Sequence, residues 1–224
     1  MTNNIYAYLI LIAAFIILML SEIRAFRQNS RNLEDVLSGK GSMNMLIARH
    51  LVNAIVLGIA VACSAILLDH DNMGLLPGND ITWLLVATLA TLAAVLSGFF
   101  AAKGKQLLSV AVSNYSLVNT YFFIRILFLI TYEFFFRGVL LQALLGIVSM
   151  EWAIAINIIL YLVAHAFSNK KELIGSIPFG LLLCIVTIKL QSVWPVIIIH
   201  LALSLSYETR IAYLYSRLVK RVNS

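Results

Sequence analysis

The sequence predicts an all-α protein, a polytopic transmembrane helical bundle of about seven spans. Three observations carry this. The chain has 224 residues, of which 62% are hydrophobic and only 12% charged, against about 45–50% and about 25% in soluble domains. Its apolar residues gather into runs near the ~20 residues that cross a bilayer. Its charges collect between those runs, where loops would meet water.

The expected spans are 5–23, 45–68, 81–102, 117–149, 152–168, 173–190 and 193–207. The first has no positive residue before it and no small-residue cleavage site after it, so it reads as a retained helix rather than a signal peptide. The fourth would reach about 50 Å as one straight helix, against a hydrocarbon core of ~30 Å, so it must tilt, break or leave the membrane. The seventh is short and begins at Pro195, a position proline tolerates. Gly39-Lys40-Gly41-Ser42 and Pro77-Gly78-Asn79-Asp80 are turn chemistry. Nothing resembles a long linker, so residues 1–224 are expected to form a single membrane domain. Cys63 and Cys184 lie in apolar runs without CxxC spacing and read as buried, inert thiols.

Loop charges orient the bundle. Residues 24–44 carry Arg24, Arg27, Arg31 and Lys40, residues 103–116 carry Lys103 and Lys105, and Lys170 and Lys171 precede the sixth span. Arg210, Arg217, Lys220 and Arg221 follow the last. The 69–80 loop holds Asp69, Asp71 and Asp80 and no Lys or Arg. By the positive-inside rule the N-terminus lies outside and the C-terminus in the cytoplasm, which needs an odd number of spans. The net charge of +6 therefore points to anionic lipid headgroups as partner. Nucleic acid is not expected, because no basic stripe interleaved with aromatics is present.

Of ten acids, nine fall in loops or at span ends, and Glu133 alone lies deep in an apolar run. A charge there costs about 3 kcal/mol or more unless it has a partner or a task. Arg137, four residues on, shares its helix face. Arg125, two turns earlier, is placed to join them. A structural ion pair is one reading of this set. His70 falls in an outer loop, and His50 reads as a snorkelling residue at the start of the second span. His165 and His200 fall within apolar helices, and with Glu133 they form a constellation. A carboxylate can deprotonate water, one histidine can orient that water or protonate a leaving amine, and another can stabilise an oxyanion. The same Glu133, His165 and His200 could instead hold a divalent metal such as zinc. The His-Glu-x-x-His spacing of metalloprotease helices is absent.

In these residues the chain resembles the CAAX prenyl protease and bacteriocin-processing (Abi) family of intramembrane endopeptidases. Tyr132-Glu133-Phe134-Phe135-Phe136-Arg137-Gly138 resembles the family's Glu-Glu-x-x-x-Arg block. Tyr161-Leu162-Val163-Ala164-His165 resembles Phe-x-x-x-His. His200-Leu201-Ala202-Leu203-Ser204 resembles His-x-x-x-Asn, and Pro178-Phe179-Gly180 resembles the Phe-x-x-Gly region. The resemblance covers about 115–207. It implies peptide-bond hydrolysis in the membrane on peptides or protein tails, with Glu133, His165 and His200 catalytic and Arg137, Tyr132 and Ser204 supporting. It also points to a bacterial cell membrane.

Two departures mark the chain as a divergent member. Tyr132 stands where the family has its first glutamate, usually taken as the water-activating base, and Ser204 stands where it has asparagine. A phenol is a poor base at neutral pH, so hydrolysis would require Glu133 to take that role. A one-residue displacement rotates a side chain by about 100° around a helix. The departures motivate a second expectation, a catalytically inactive relative acting as a membrane scaffold, immunity factor or regulator. A transporter using the Glu, Arg and His set as a proton relay is a third.

Overall fold

The computed structural model describes residues 2–68, 80–102, 115–168 and 170–222. The acidic loop with Asp69, His70 and Asp71, the Pro77-Gly78-Asn79 turn, and the segment bearing Lys103 and Lys105 lie outside the described residues. Among those described there are helices and no strands. They are α1 (Thr2–Arg27), α2 (Leu33–Leu37), α3 (Met43–Leu68), α4 (Asp80–Ala102), α5 (Tyr115–Glu133), a π-helical segment (Phe134–Leu140), α6 (Leu141–Leu145), α7 (Met150–Ala164), α8 (Lys170–Leu190) and α9 (Trp194–Val222).

Each boundary has a local cause. α1 stops at Asn29, whose φ of 50° is left-handed. The chain then doubles back, and the Ser42 amide donates to the Ser30 hydroxyl at 3.0 Å. A side chain at Gly41 would strike the Asn29 carbonyl oxygen, so this turn needs glycine. Asn32 caps α2 by accepting the Asp35 amide at 2.9 Å. The expected 117–149 span breaks rather than running straight: α5 passes into the π segment after Glu133, and α6 ends at Gly146. At the start of α7, Ser149 donates to Glu151 at 2.7 Å, and that bond holds the exposed carboxyl below the usual carboxylate range. α8 contains Pro178, and its end is followed by Gln191 at φ 49°.

Two expected spans are corrected. α7 ends at Ala164 rather than 168, so His165 caps the helix instead of lying inside it. α9 continues to Val222, well past 207. The residues read as a cytoplasmic tail are its second half.

The exposed surface confirms the membrane class. Ile66 is 81% exposed, Leu84 69%, Ile174 67% and Trp152 66%. A water-soluble monomer does not present such a surface; lipid covers it here. Among the described residues, four helical segments are long and apolar enough to cross a bilayer alone: Asn4–Arg27, Met43–Leu68, Thr82–Phe99 and Glu172–Leu190. The other three expected spans are held by their neighbours: α5 with its π segment and α9 carry ions, and α7 is only 15 residues long. The protein is an integral membrane helical bundle.

Inside, α1 packs on α3, α3 on α5 and the π segment, α7 on α8, and α4 on α9. Leu11, Leu18, Leu57, Phe135, Phe136 and Tyr161 form one core, joining α1, α3, the π segment and α7. A second, of Leu33, Leu46, Tyr121, Ile211 and Tyr215, joins α2, α3, α5 and α9.

Beside this second core lies an ionic layer that corrects three expectations. Arg125 does not join Glu133. Its Nε donates to Glu208 at 3.0 Å, and the Tyr121 hydroxyl donates to the other Glu208 oxygen at 2.9 Å. Glu208 is thus a buried α9 residue, not a loop acid. His50 does not snorkel. It is 2% exposed, stacked on Phe128 at 5.0 Å, with Arg49 and Arg125 nitrogens 3.1 and 3.4 Å from its Nε2. A guanidinium only donates, so Nε2 accepts and the ring proton sits on Nδ1. Arg49 also donates to Glu22 of α1 at 2.9 Å and to the Arg31 carbonyl at 2.6 Å.

Replacing Arg125 with methionine leaves Glu208 without its cation in an apolar layer. We expect a loss of about 3 kcal/mol of stability, read as a lower midpoint of thermal unfolding in detergent.

Candidate active site

Glu133 is the last residue of α5, and its side chain is fully buried. Its Oε1 accepts from His200 Nδ1 of α9 at 2.5 Å. Its Oε2 lies 3.5 Å from Arg137 Nε, an ion pair without a hydrogen bond. The sequence placed Glu133 and Arg137 one turn apart on one face, and the structure brings them together. It also brings His200, which no spacing in the chain could show.

Arg137 is itself fully buried, and none of its three nitrogens has a hydrogen-bond partner. Its guanidinium lies over the Tyr161 ring at 4.2 Å and near the Phe136 ring at 5.7 Å. The cation is therefore held by one carboxylate and by ring faces. Gly180 of α8 makes room for this stack. A Cβ there would come within 3.2 Å of the Tyr161 ring and 3.5 Å of Arg137 Nη2. The adjacent Phe179 ring meets the His200 ring edge-on at 5.3 Å. Pro178-Phe179-Gly180 thus packs directly against the site.

His165, capping α7, has its Nδ1 2.9 Å from the Tyr161 carbonyl oxygen. The carbonyl can only accept, so Nδ1 carries the proton. The two histidines share one arrangement: each is tethered through Nδ1, to a carbonyl or to a carboxylate. With Nδ1 so engaged, Nε2 is the nitrogen of each ring left to exchange a proton.

Tyr132 stands between them. Its ring meets His165 at 6.2 Å and His200 at 6.3 Å, edge-on in both cases. It is 4% exposed, and its hydroxyl is buried without a partner. Ser204 lies one turn beyond His200 on α9 and is also buried. Glu133, His200, Arg137 and Tyr132 therefore converge directly, His165 joins through Tyr132, and Ser204 flanks His200. Among the described residues no group of three or more His, Cys, Asp or Glu side chains is placed to hold a metal ion. Glu133, His165 and His200 do not form such a set.

Residues 113–206 match the family model for type II CAAX prenyl endopeptidase Rce1-like proteins. The match covers less than half of the chain and makes this segment similar to that family. It runs from just before α5 into α9 and contains every site residue described above. No curated protein and no solved structure matches the chain. The Rce1-like segment excludes α1 to α4, which enclose it from one side through α3 and from the other through α4 against α9.

Sequence reasoning missed one group in the Rce1-like segment. Asn157 is fully buried and donates to the Phe136 carbonyl at 2.8 Å. Its own side-chain oxygen accepts from Cys184 at 3.3 Å. A signal was present: Asn157, Tyr161 and His165 recur every four residues, on one face of an apolar helix.

Replacing Gly180 with alanine should push the Tyr161 ring away from Arg137. We expect a loss of about 1 kcal/mol, with Tyr161 fluorescence quenched less by the cation, measured during thermal unfolding.

Proposed function

We propose that this protein is an intramembrane endopeptidase that hydrolyses peptide bonds in membrane-associated peptides or protein tails. The observation that carries the reading is the Glu133–His200 bond, 2.5 Å long and wholly buried. The carboxylate orients the imidazole and offsets the positive charge that develops as His200 takes a proton from water. Water is activated by the pair, with His200 Nε2 as the acceptor and Glu133 supplying the basicity behind it. Arg137 stands beside Glu133 as its countercharge in an apolar surrounding. His165 lies across the Tyr132 ring from His200; the proton that His200 takes from water passes to the leaving amine, directly or by way of His165, which donates to the oxyanion only while it carries that proton. This division moves the base from the carboxylate alone to the carboxylate–histidine pair, since both Glu133 oxygens already face protein groups.

A second reading rests on a specific observation. Glu133 has no exposed surface, and Tyr132 occupies the position of the family's first glutamate. A relative that binds peptides without cutting them would look the same. The orientation we propose has the N-terminus outside and the C-terminus in the cytoplasm.

Purified protein in nanodiscs, offered a membrane-anchored peptide library, decides between the two. Hydrolysis by the unmodified chain, falling at least about a hundredfold in Glu133→Gln and in His200→Ala, supports the peptidase; hydrolysis undiminished in both sinks it. No hydrolysis at any substrate, restored by Tyr132→Glu with Ser204→Asn, establishes the inactive relative. Orientation has its own test. A cysteine placed at Asn4 should react with an impermeant maleimide added outside intact cells, and one placed at Ser216 should not.

A further inference from the structure

The π segment is where the site's geometry is set. In an α-helix each carbonyl accepts from the amide four residues on; in a π turn it accepts from the fifth. The Phe136 carbonyl accepts the Leu141 amide in this wide pattern. One wide turn takes in one extra residue, so the face presented after Glu133 is turned by about 100° from its α-helical phase. Such turns are rare overall yet frequent at functional sites, so a contact that supports this one from another helix matters.

Asn157 supplies one. Its Nδ2 donates to that same Phe136 oxygen at 2.8 Å, filling the second lone pair. Its Oδ1 is in turn occupied by Cys184 of α8 at 3.3 Å. A fully buried asparagine in an apolar 15-residue helix is unfavourable unless both ends of its amide are paired, and here both are. Arg137 follows Phe136 directly, and its side-chain nitrogens make no hydrogen bond. Its placement over Tyr161 and beside Glu133 therefore depends on where the backbone puts it.

We propose that Asn157 is a positioning residue: it holds the π segment and thereby fixes Arg137 against Glu133 and Glu133 against His200. The kinetic consequence rests on the peptidase reading; the structural one does not.

The test compares Asn157→Leu, which keeps the bulk and removes the donor, with the unmodified chain in nanodiscs. Two readouts are taken: the His200 Nδ1 proton resonance of ¹⁵N-histidine-labelled protein, assigned with His200→Ala, and kcat with KM. We expect the resonance to move upfield or broaden, and kcat to fall about tenfold to a hundredfold with KM little changed. A merely structural role would lower the unfolding midpoint and leave the resonance of the folded protein where it was. That outcome overturns the proposal. Should leucine prevent folding, Asn157→Ala removes the donor without added bulk and decides by the same two readouts. Absence of activity in the unmodified chain sinks the peptidase reading alone; the resonance then decides the proposal.

Discussion

A carboxylate and a guanidinium buried side by side, Glu133 and Arg137, set the terms for the structure around them. Taking both ions out of water costs several kcal/mol each, and their attraction offsets this only if the surrounding atoms are arranged to help. Each neighbouring helix contributes to that arrangement. α9 brings His200 to one carboxylate oxygen. α7 brings the Tyr161 ring beneath the guanidinium. α8 contributes a glycine where any side chain would crowd that ring. The packing of three helices onto the π segment can be read as the solvation shell of one ion pair.

The bundle contains a second polar level built on another principle. Around Glu208, Arg125 and Tyr121, donors and acceptors are matched by direct hydrogen bonds of 2.9 and 3.0 Å. At Glu133 and Arg137, several donors have no partner. His200, Ser204 and Glu208 fall at successive turns of α9, so one helix face serves both levels. The matched level ties α9 to α5, and a less completely matched link through His50 and Arg49, whose Nδ1 and Nε have no partner, reaches α3 and α1. Unmatched donors beside two histidines with free Nε2 atoms are what a reacting group would use. A matched network is what a fixed scaffold needs.

Tyr132, at the position where the resemblance leads one to expect an acid, has a physical reading in this setting. A second carboxylate beside Glu133 would compete for the same cation and repel the first. Tyrosine avoids that repulsion and packs its ring edge-on against both His165 and His200. It leaves a hydroxyl in the site without a partner. The charge that remains is concentrated on Glu133, and His200 is the group that meets it.

Much of this protein was legible in the chain itself. Bulk hydrophobicity determined the all-α membrane class, because 62% apolar residues cannot be hidden in a core of this size. The scarcity of charge in the apolar runs singled out Glu133, and a four-residue spacing paired it with Arg137. The blocks at 132–138, 161–165 and 200–204 marked the segment that the family match covers. The tertiary structure alone decided what spacing cannot encode. It paired Arg125 with Glu208 eighty-three residues away, buried a histidine expected to snorkel, and joined Glu133 to His200 sixty-seven residues on. It also placed a π turn directly after Glu133. The physical reason is the same in each case. Helical period fixes neighbours within a few turns, whereas the partner of a buried charge is chosen by which helices pack together and by the phase at which they meet.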